Sequence, residues 1–139
     1  MELSQDQPMI AGMLRSHPQP VQGGADRLAQ AVSAIATCAT VCTSCADACL
    51  AEPHVQNLTR CIRLNLDCAD ICATAARVLA RMTQVDTAIQ RDLLRACAAA
   101  CQACGQECES HAQMHEHCRL CAEACRHCEQ VCAELARTL

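Results

Sequence analysis

From Ala25 to the C-terminus, apolar and small residues recur at spacings of three and four among Ala, Leu, Arg, Gln and Glu, with no stretch of strand-like alternation. That pattern is of amphipathic helices turning one stripe toward a shared core. Glu52-Pro53 breaks it, because proline suits the first turn of a helix and disrupts the interior. Thr83-Gln84-Val85-Asp86 supplies a cap-like start. A further break is placed between Ser110 and His117, although neither Gly nor Pro marks it. An unbroken helix of ~50 residues would run ~75 Å and leave its far half without a partner. The spacing predicts helices over 25–51, 53–82, 84–112 and 115–137. Residues 1–24 differ, holding Pro8, Pro18, Pro20, Gly12, Gly23 and Gly24 but no Cys. They read as an N-terminal arm in which Met9, Ile10, Met13 and Leu14, at helical spacing, predict one short amphipathic helix.

Cysteine carries the stripes. Cys38, Cys42, Cys45 and Cys49 are spaced 4, 3 and 4, and Cys97, Cys101, Cys104 and Cys108 repeat this at an offset of 59. Cys61, Cys68 and Cys72 map onto Cys121, Cys128 and Cys132 at an offset of 60, with Asn65 opposite Cys125 and Leu58 opposite Cys118. The repeat predicts a duplicated helical hairpin. At ~100° per residue each helix gathers its thiols within a stripe roughly 40° to 80° wide. The fold expected is all-α, an antiparallel up-down-up-down four-helix bundle over residues 25–139 with thiols along its axis. This topology stacks the thiols toward one end. Leu28, Ile35, Leu79, Met82, Leu93, Leu94, Leu135 and Leu139 continue the stripes toward the other as an aliphatic plug.

Composition sharpens the picture. The chain has 139 residues, 16 cysteines, no Trp, Tyr or Phe, and no lysine, since all 11 basic residues are arginine. One domain is expected, and thiols must stand in for the aromatic core fillers. A net charge of -4 without a basic stripe, and no ring to stack on a base, excludes nucleic acid as a partner. No continuous apolar run approaches the ~18 residues of a span, so no membrane partner is expected. Met1 to Pro8 carries acids where a secretory signal carries positive charge, which predicts a cytoplasmic protein. Disulfides are rare there, so sixteen thiols point to metal. One or two core cysteines need no special explanation; sixteen in four aligned stripes do.

At the cysteine-rich end the connections 51–54 and 111–117 meet, and His54, His111 and Met114 fall on or near the stripes as candidate ligands at a mouth. His115 and His117 point further off the axis, His127 faces outward between two cysteines, and His17 lies in the arm. Zinc competes for such thiols through four Cys-x-x-Cys pairs, but i and i+3 is also helical core spacing. Four tetrahedral zinc sites would leave an excess of about -8 in a narrow interior. One monovalent soft cation per thiolate leaves none, and Cu(I) is such an ion. Iron-sulfur and di-iron motifs are absent, and sixteen similar thiols argue for capacity over catalysis, so no enzyme is expected.

The stripe Cys38-x3-Cys42-x2-Cys45-x3-Cys49, repeated at Cys97 to Cys108, with a His/Met cluster at one bundle end, resembles the bacterial cytosolic copper storage proteins over residues 25–139. The resemblance implies a homotetramer and Cu(I) held inside each bundle mainly by thiolates. Carried over, the metal ligands are Cys38, Cys42, Cys45, Cys49, Cys61, Cys68, Cys72, Cys97, Cys101, Cys104, Cys108, Cys118, Cys121, Cys125, Cys128 and Cys132, with His54, His111 and Met114 at the mouth. About 16 ions per chain, or somewhat more, are expected. The competing expectation is a zinc or general soft-metal buffer of metallothionein type; donor and acceptor proteins are not legible.

Overall fold

The computed structural model describes residues 6–19 and 24–139. Its helices are α1 (Asp6–Arg15), α2 (Ala25–Leu50), α3 (Thr59–Leu79), α4 (Thr87–Glu109) and α5 (Glu116–Thr138), with a 3-10 turn, Val55–Leu58, leading into α3. Helices α2 and α4 each pack on α3 and α5, which closes the four into an antiparallel bundle. No strand occurs among the described residues. The expected arm falls partly on residues 1–5 and 20–23, which lie outside the described residues.

Four helix boundaries differ from those predicted by three residues or more, the end of α3 at Leu79 among them, and the other three have a local reason. After Pro53 the chain turns once more as a 3-10 segment, and Leu58 precedes Thr59 without a side-chain cap, so α3 starts six residues later than proline alone suggests. At α4 the cap is Asp86 itself, whose carboxylate accepts from Ile89 N at 3.1 Å. Gln84 just before it takes a positive φ of 52°, which no helix interior permits. Helix α4 ends at Glu109, where Ser110 Oγ donates to the Glu107 carbonyl at 2.6 Å and diverts an acceptor from the helical ladder.

At one end of the bundle Ile35, Leu79 and Leu94 are buried with Val32, while Leu28, Leu93 and Leu135 pack beside them. Leu139, expected in this plug, is 36% exposed, because it follows the last helical residue. Helix α1 caps this end: Ala11 and Leu14 are buried with Ala29, and Ile10, Ala25, Leu28 and Met82 pack around them. Met9 and Met13, predicted on the docking face, point outward instead, since the ~200° arc of apolar residues on α1 is wider than the face α2 can cover. His17 Nε2 lies 3.2 Å from Thr83 Oγ1, tying the end of α1 to the α3–α4 turn.

By mean hydropathy, 1.4 over an 18-residue window, α2 is long and apolar enough to cross a membrane, although polar residues such as Ser33, Thr37, Thr40 and Thr43 interrupt it. Its apolar face is bundle core, with Val32, Ile35 and four cysteines buried.

Candidate metal centre

All sixteen cysteines are buried and free. The helical stripes deliver them to the axis as a column that can be followed from the loops at 51–54 and 110–115 toward the aliphatic plug. At the outer end, the ligand atoms of Cys45, Cys49, Cys118 and His117 lie within 4.8 Å of one another. Cys45, Cys108 and Cys121 form the next group, with Cys61 Sγ 3.7 Å from Cys108 Sγ. Further in come Cys42, Cys104, Cys121 and Cys125, then Cys38, Cys42, Cys68 and Cys125, then Cys38, Cys72, Cys101 and Cys128. Cys97, 3.4 Å from Cys72, and Cys132, 3.9 Å from Cys128, complete the column beneath the plug. Neighbouring groups share members, so a soft ion bound in one lies next to the ligands of the next.

Dense contact makes individual thiols unequal. Burial pushes Cys49 up to about 11, and burial likewise raises Cys118. Cys45 is drawn down to about 6: its contact with Cys108 pushes it up, but bonds with Cys121, Cys61 and His117 outweigh this. A thiolate ready to bind metal therefore sits beside the opening.

The mouth is built differently from the sequence expectation. His54 is exposed and Met114 is 79% exposed, because α5 begins at Glu116 and the early helical turn that would bring Met114 into phase does not form. His111 is turned to Glu107, with Nε2 2.9 Å from Oε2. The imidazole that reaches the thiols is His117, placed off the axis by the sequence reading. Its Nδ1 is 3.5 Å from Cys45 Sγ and 3.6 Å from Cys118 Sγ, and its Nε2 is 2.9 Å from Glu52 Oε2. Its position in the first turn of α5 sets it only ~60° from the centre of the thiol stripe. His115 stacks on His117 with ring centroids 5.4 Å apart, and its Nδ1 lies 3.1 Å from the same Glu52 oxygen. Bonding to His117 lowers Glu52, and although burial pulls His117 down, Cys45 and Glu52 raise it on balance. Glu52 and His117 carry no periodic signal of their own; proximity to the stripe edge was the one clue for His117.

Among the described residues Asn65 is the buried polar residue of the core, and its amide touches thiols on α3, α4 and α5. Among the described residues no buried side-chain nitrogen or oxygen lacks a hydrogen-bond partner.

Comparison with known proteins places this geometry. The sequence model of the copper storage protein family matches residues 24–137. The copper storage protein Ccsp from Streptomyces lividans, solved loaded with 10 copper equivalents, superposes with a TM-score of 0.90 at 50% identity, covering 94% of this chain and 99% of that one. The same protein, described as cytosolic, has also been solved with five coppers; there the TM-score is 0.80 at 54% identity, over 82% of this chain and 95% of that one. The Cu(I)-bound copper storage protein BsCsp3 gives a TM-score of 0.68 at 37% identity, over 77% of this chain and 95% of that one. An uncharacterized cysteine-rich protein of Bacillus subtilis, YhjQ, is 38% identical over 88 residues, 63% of this chain and 76% of its own length.

Proposed function

The chain belongs to the copper storage protein family, and from that premise we propose that it is a cytosolic, non-enzymatic store that holds Cu(I) along its column of thiolates. The observation that carries this reading is the continuity of sixteen buried free thiols, each group sharing members with the next. Cys72 Sγ alone lies within 4.0 Å of Cys68, Cys97, Cys101 and Cys128, so one sulfur can bridge ions on more than one side. Equal numbers of monovalent ions and thiolates leave the interior neutral, which divalent ions taking four thiolates each would not.

In this reading residues 25–139 are the store and residues 1–24 an arm, of which helix α1 packs on the plugged end. The sixteen cysteines and His117 are the ligands, with His111, His54 and Met114 on the approach. The hairpins α2–α3 and α4–α5 are read as copies of one ancestral hairpin on the strength of thiol spacing. Copper enters at the loop end, where Cys45 and His117 are closest to solvent, and is passed inward by thiolate exchange. Assembly as a homotetramer is carried from the family resemblance.

Anaerobic Cu(I) titration of the reduced protein against a competing chelator tests the reading. About 16 ions per chain are expected. Saturation near four ions, or tighter retention of Zn(II) than of Cu(I), would turn the reading to a zinc buffer.

A further inference from the structure

At the loop end of the bundle one carboxylate oxygen is shared by two imidazoles. Glu52 Oε2 lies 2.9 Å from His117 Nε2 and 3.1 Å from His115 Nδ1, and the two rings stack with centroids 5.4 Å apart. Holding His117 toward the thiols takes one of these contacts; the second imidazole on the same oxygen is not needed for that. His115 is the N-cap residue of α5, with its own N–H bonded to the His111 carbonyl at 3.0 Å, so its ring is carried by hydrogen-bonded backbone. Two nitrogens and a carboxylate oxygen suit a borderline divalent ion, whereas Cu(I) prefers the sulfur on the other side of His117. Ligands ~2.1 Å from a tetrahedral Zn(II) stand ~3.4 Å apart. From 2.9 and 3.1 Å, that spacing asks only a small withdrawal of the flexible Glu52 side chain. The three side chains are 17% to 25% exposed, which leaves a side open for water as the remaining ligand.

His117 cannot serve both sides at once, because a neutral imidazole has one lone pair. On Nδ1 it faces Cys45 Sγ at 3.5 Å and Cys118 Sγ at 3.6 Å, while Nε2–H donates to Glu52. On Nε2 it faces the Glu52 side, and the Nδ1 proton points at the thiols. We propose that Glu52, His115 and His117 form a binding site for one borderline divalent cation of the Zn(II) class, and that the bound ion bars copper by holding His117 in the tautomer with no lone pair for the thiol side. The site stands on its geometry; its effect on copper rests on the storage reading. On binding, the ion replaces the proton on each ring nitrogen that faces Glu52. Each ring keeps one proton, His117 on Nδ1 and His115 on Nε2, and any surplus proton leaves to solvent. Neither metal changes oxidation state. Linkage is reciprocal, so Cu(I) held by Nδ1 weakens the divalent site by the same factor.

The test uses the reduced, metal-free full chain under anaerobic conditions, first with Co(II), whose spectrum reports its ligands, and then with Zn(II). The first equivalent of Co(II) should give weak ligand-field bands without sulfur-to-cobalt charge transfer, and Zn(II) should displace it. Zn(II) is then held at about ten times the dissociation constant so measured, which leaves about one chain in eleven open, and uptake of Cu(I) from a weak Cu(I)-selective chelator is followed by stopped-flow absorbance. The initial rate of wild type should fall about tenfold. Glu52→Gln and His115→Ala, confirmed folded by circular dichroism, are each read as the ratio of their own rates with and without Zn(II), so a change in basal loading cancels. Both ratios should lie within about twofold of unity. A charge-transfer band from the first Co(II), a wild-type rate unchanged by Zn(II), or the full Zn(II) slowing in His115→Ala, which would place the ion among the thiols, would overturn the proposal. Wild type saturating near four Cu(I) without Zn(II) would instead remove the storage reading and leave the divalent site standing.

Discussion

Glu52 and His117 meet across the open end of the bundle: Glu52 Oε2 lies 2.9 Å from His117 Nε2, which leaves Nδ1 of the same ring 3.5 Å from Cys45 Sγ. Nε2–H donates to the carboxylate, and Nδ1, once it gives up the proton it shares with the Cys45 thiolate, offers its lone pair to an ion bound among the thiols. A carboxylate behind a histidine fixes both the ring and its tautomer, and loss of such a partner typically costs about 10- to 100-fold in metal affinity or activity. His117→Ala should therefore slow initial Cu(I) uptake by at least about tenfold, and Glu52→Gln by a smaller factor, with the final copper count lowered by no more than about one ion. Met114→Ala, altering a side chain on the approach that is 79% exposed and holds no place among the thiols, should change the rate by less than about twofold. Stopped-flow uptake beside equilibrium counting checks all three; a normal rate in His117→Ala would remove this ring from the entry path.

The contrast between the column and its mouth shows what a sequence can and cannot convey. Cys38, Cys42, Cys45 and Cys49 were legible as one stripe because helical periodicity converts spacing directly into direction. The plug was legible through Ile35 and Leu94 for the same reason. Glu52 lies in a turn, where no period relates position to direction, and His117 lies in the first turn of α5, where direction depends on where the helix starts. Met114 falls in phase with the α5 cysteines only if that helix starts early, and residues 110–114 form a turn instead. Errors thus gather at helix ends, where one residue of uncertainty rotates a side chain by ~100°.

Gly105 is buried on α4, and a Cβ built there would come within 3.3 Å of Cys125 Cβ. That neighbour is attached directly to the backbone of α5 and cannot swing aside. Gly105→Ala gains up to ~1 kcal/mol of helix propensity, but overpacking between two helices costs ~1 to 3 kcal/mol. A net loss of about 1 kcal/mol in the reduced metal-free protein is expected, read as a lower urea midpoint. Gly105→Val should lose more; a midpoint that rises in both variants would show that α4 and α5 separate freely.

The raised thiols make stability pH-dependent. Cys49 stands at about 11 when folded, chiefly through burial, against an ordinary 9.0, and burial raises Cys118 in the same direction. Above pH 9 the unfolded chain ionises these thiols while the folded chain keeps them protonated, so the unfolded state binds fewer protons and stability falls as pH rises. The contribution is complete below pH 9 and lost by about pH 11, roughly 2 to 3 kcal/mol for Cys49. Cys45, drawn down to about 6, is ionised in the folded chain throughout, but its unfolded thiol ionises only around 9.0, so its stabilisation grows up to that pH and is complete above it, which opposes the decline at lower pH. Urea unfolding of the reduced metal-free protein between pH 9.5 and 11 should therefore show a declining midpoint, and Cys49→Ala should flatten the decline. A midpoint constant to pH 11 would mean these thiols ionise inside the fold.

Burial at the plugged end should make folding independent of metal. Ile35 and Leu94 are fully buried there with Leu79, and neutral thiols bury as small apolar groups, so the reduced metal-free protein should show a helical circular dichroism spectrum. Leu94→Ala should lower its unfolding free energy by about 2 to 5 kcal/mol while leaving the copper count unchanged, because Leu94 lies outside the column. Added Cu(I) binds the folded state and should recover the loss, raising the melting temperature of both proteins in proportion to the ions bound. Two results would count against a preformed store: a random-coil spectrum before metal is added, as in domains whose metal is required for folding, or a copper count that falls in step with the stability of Leu94→Ala.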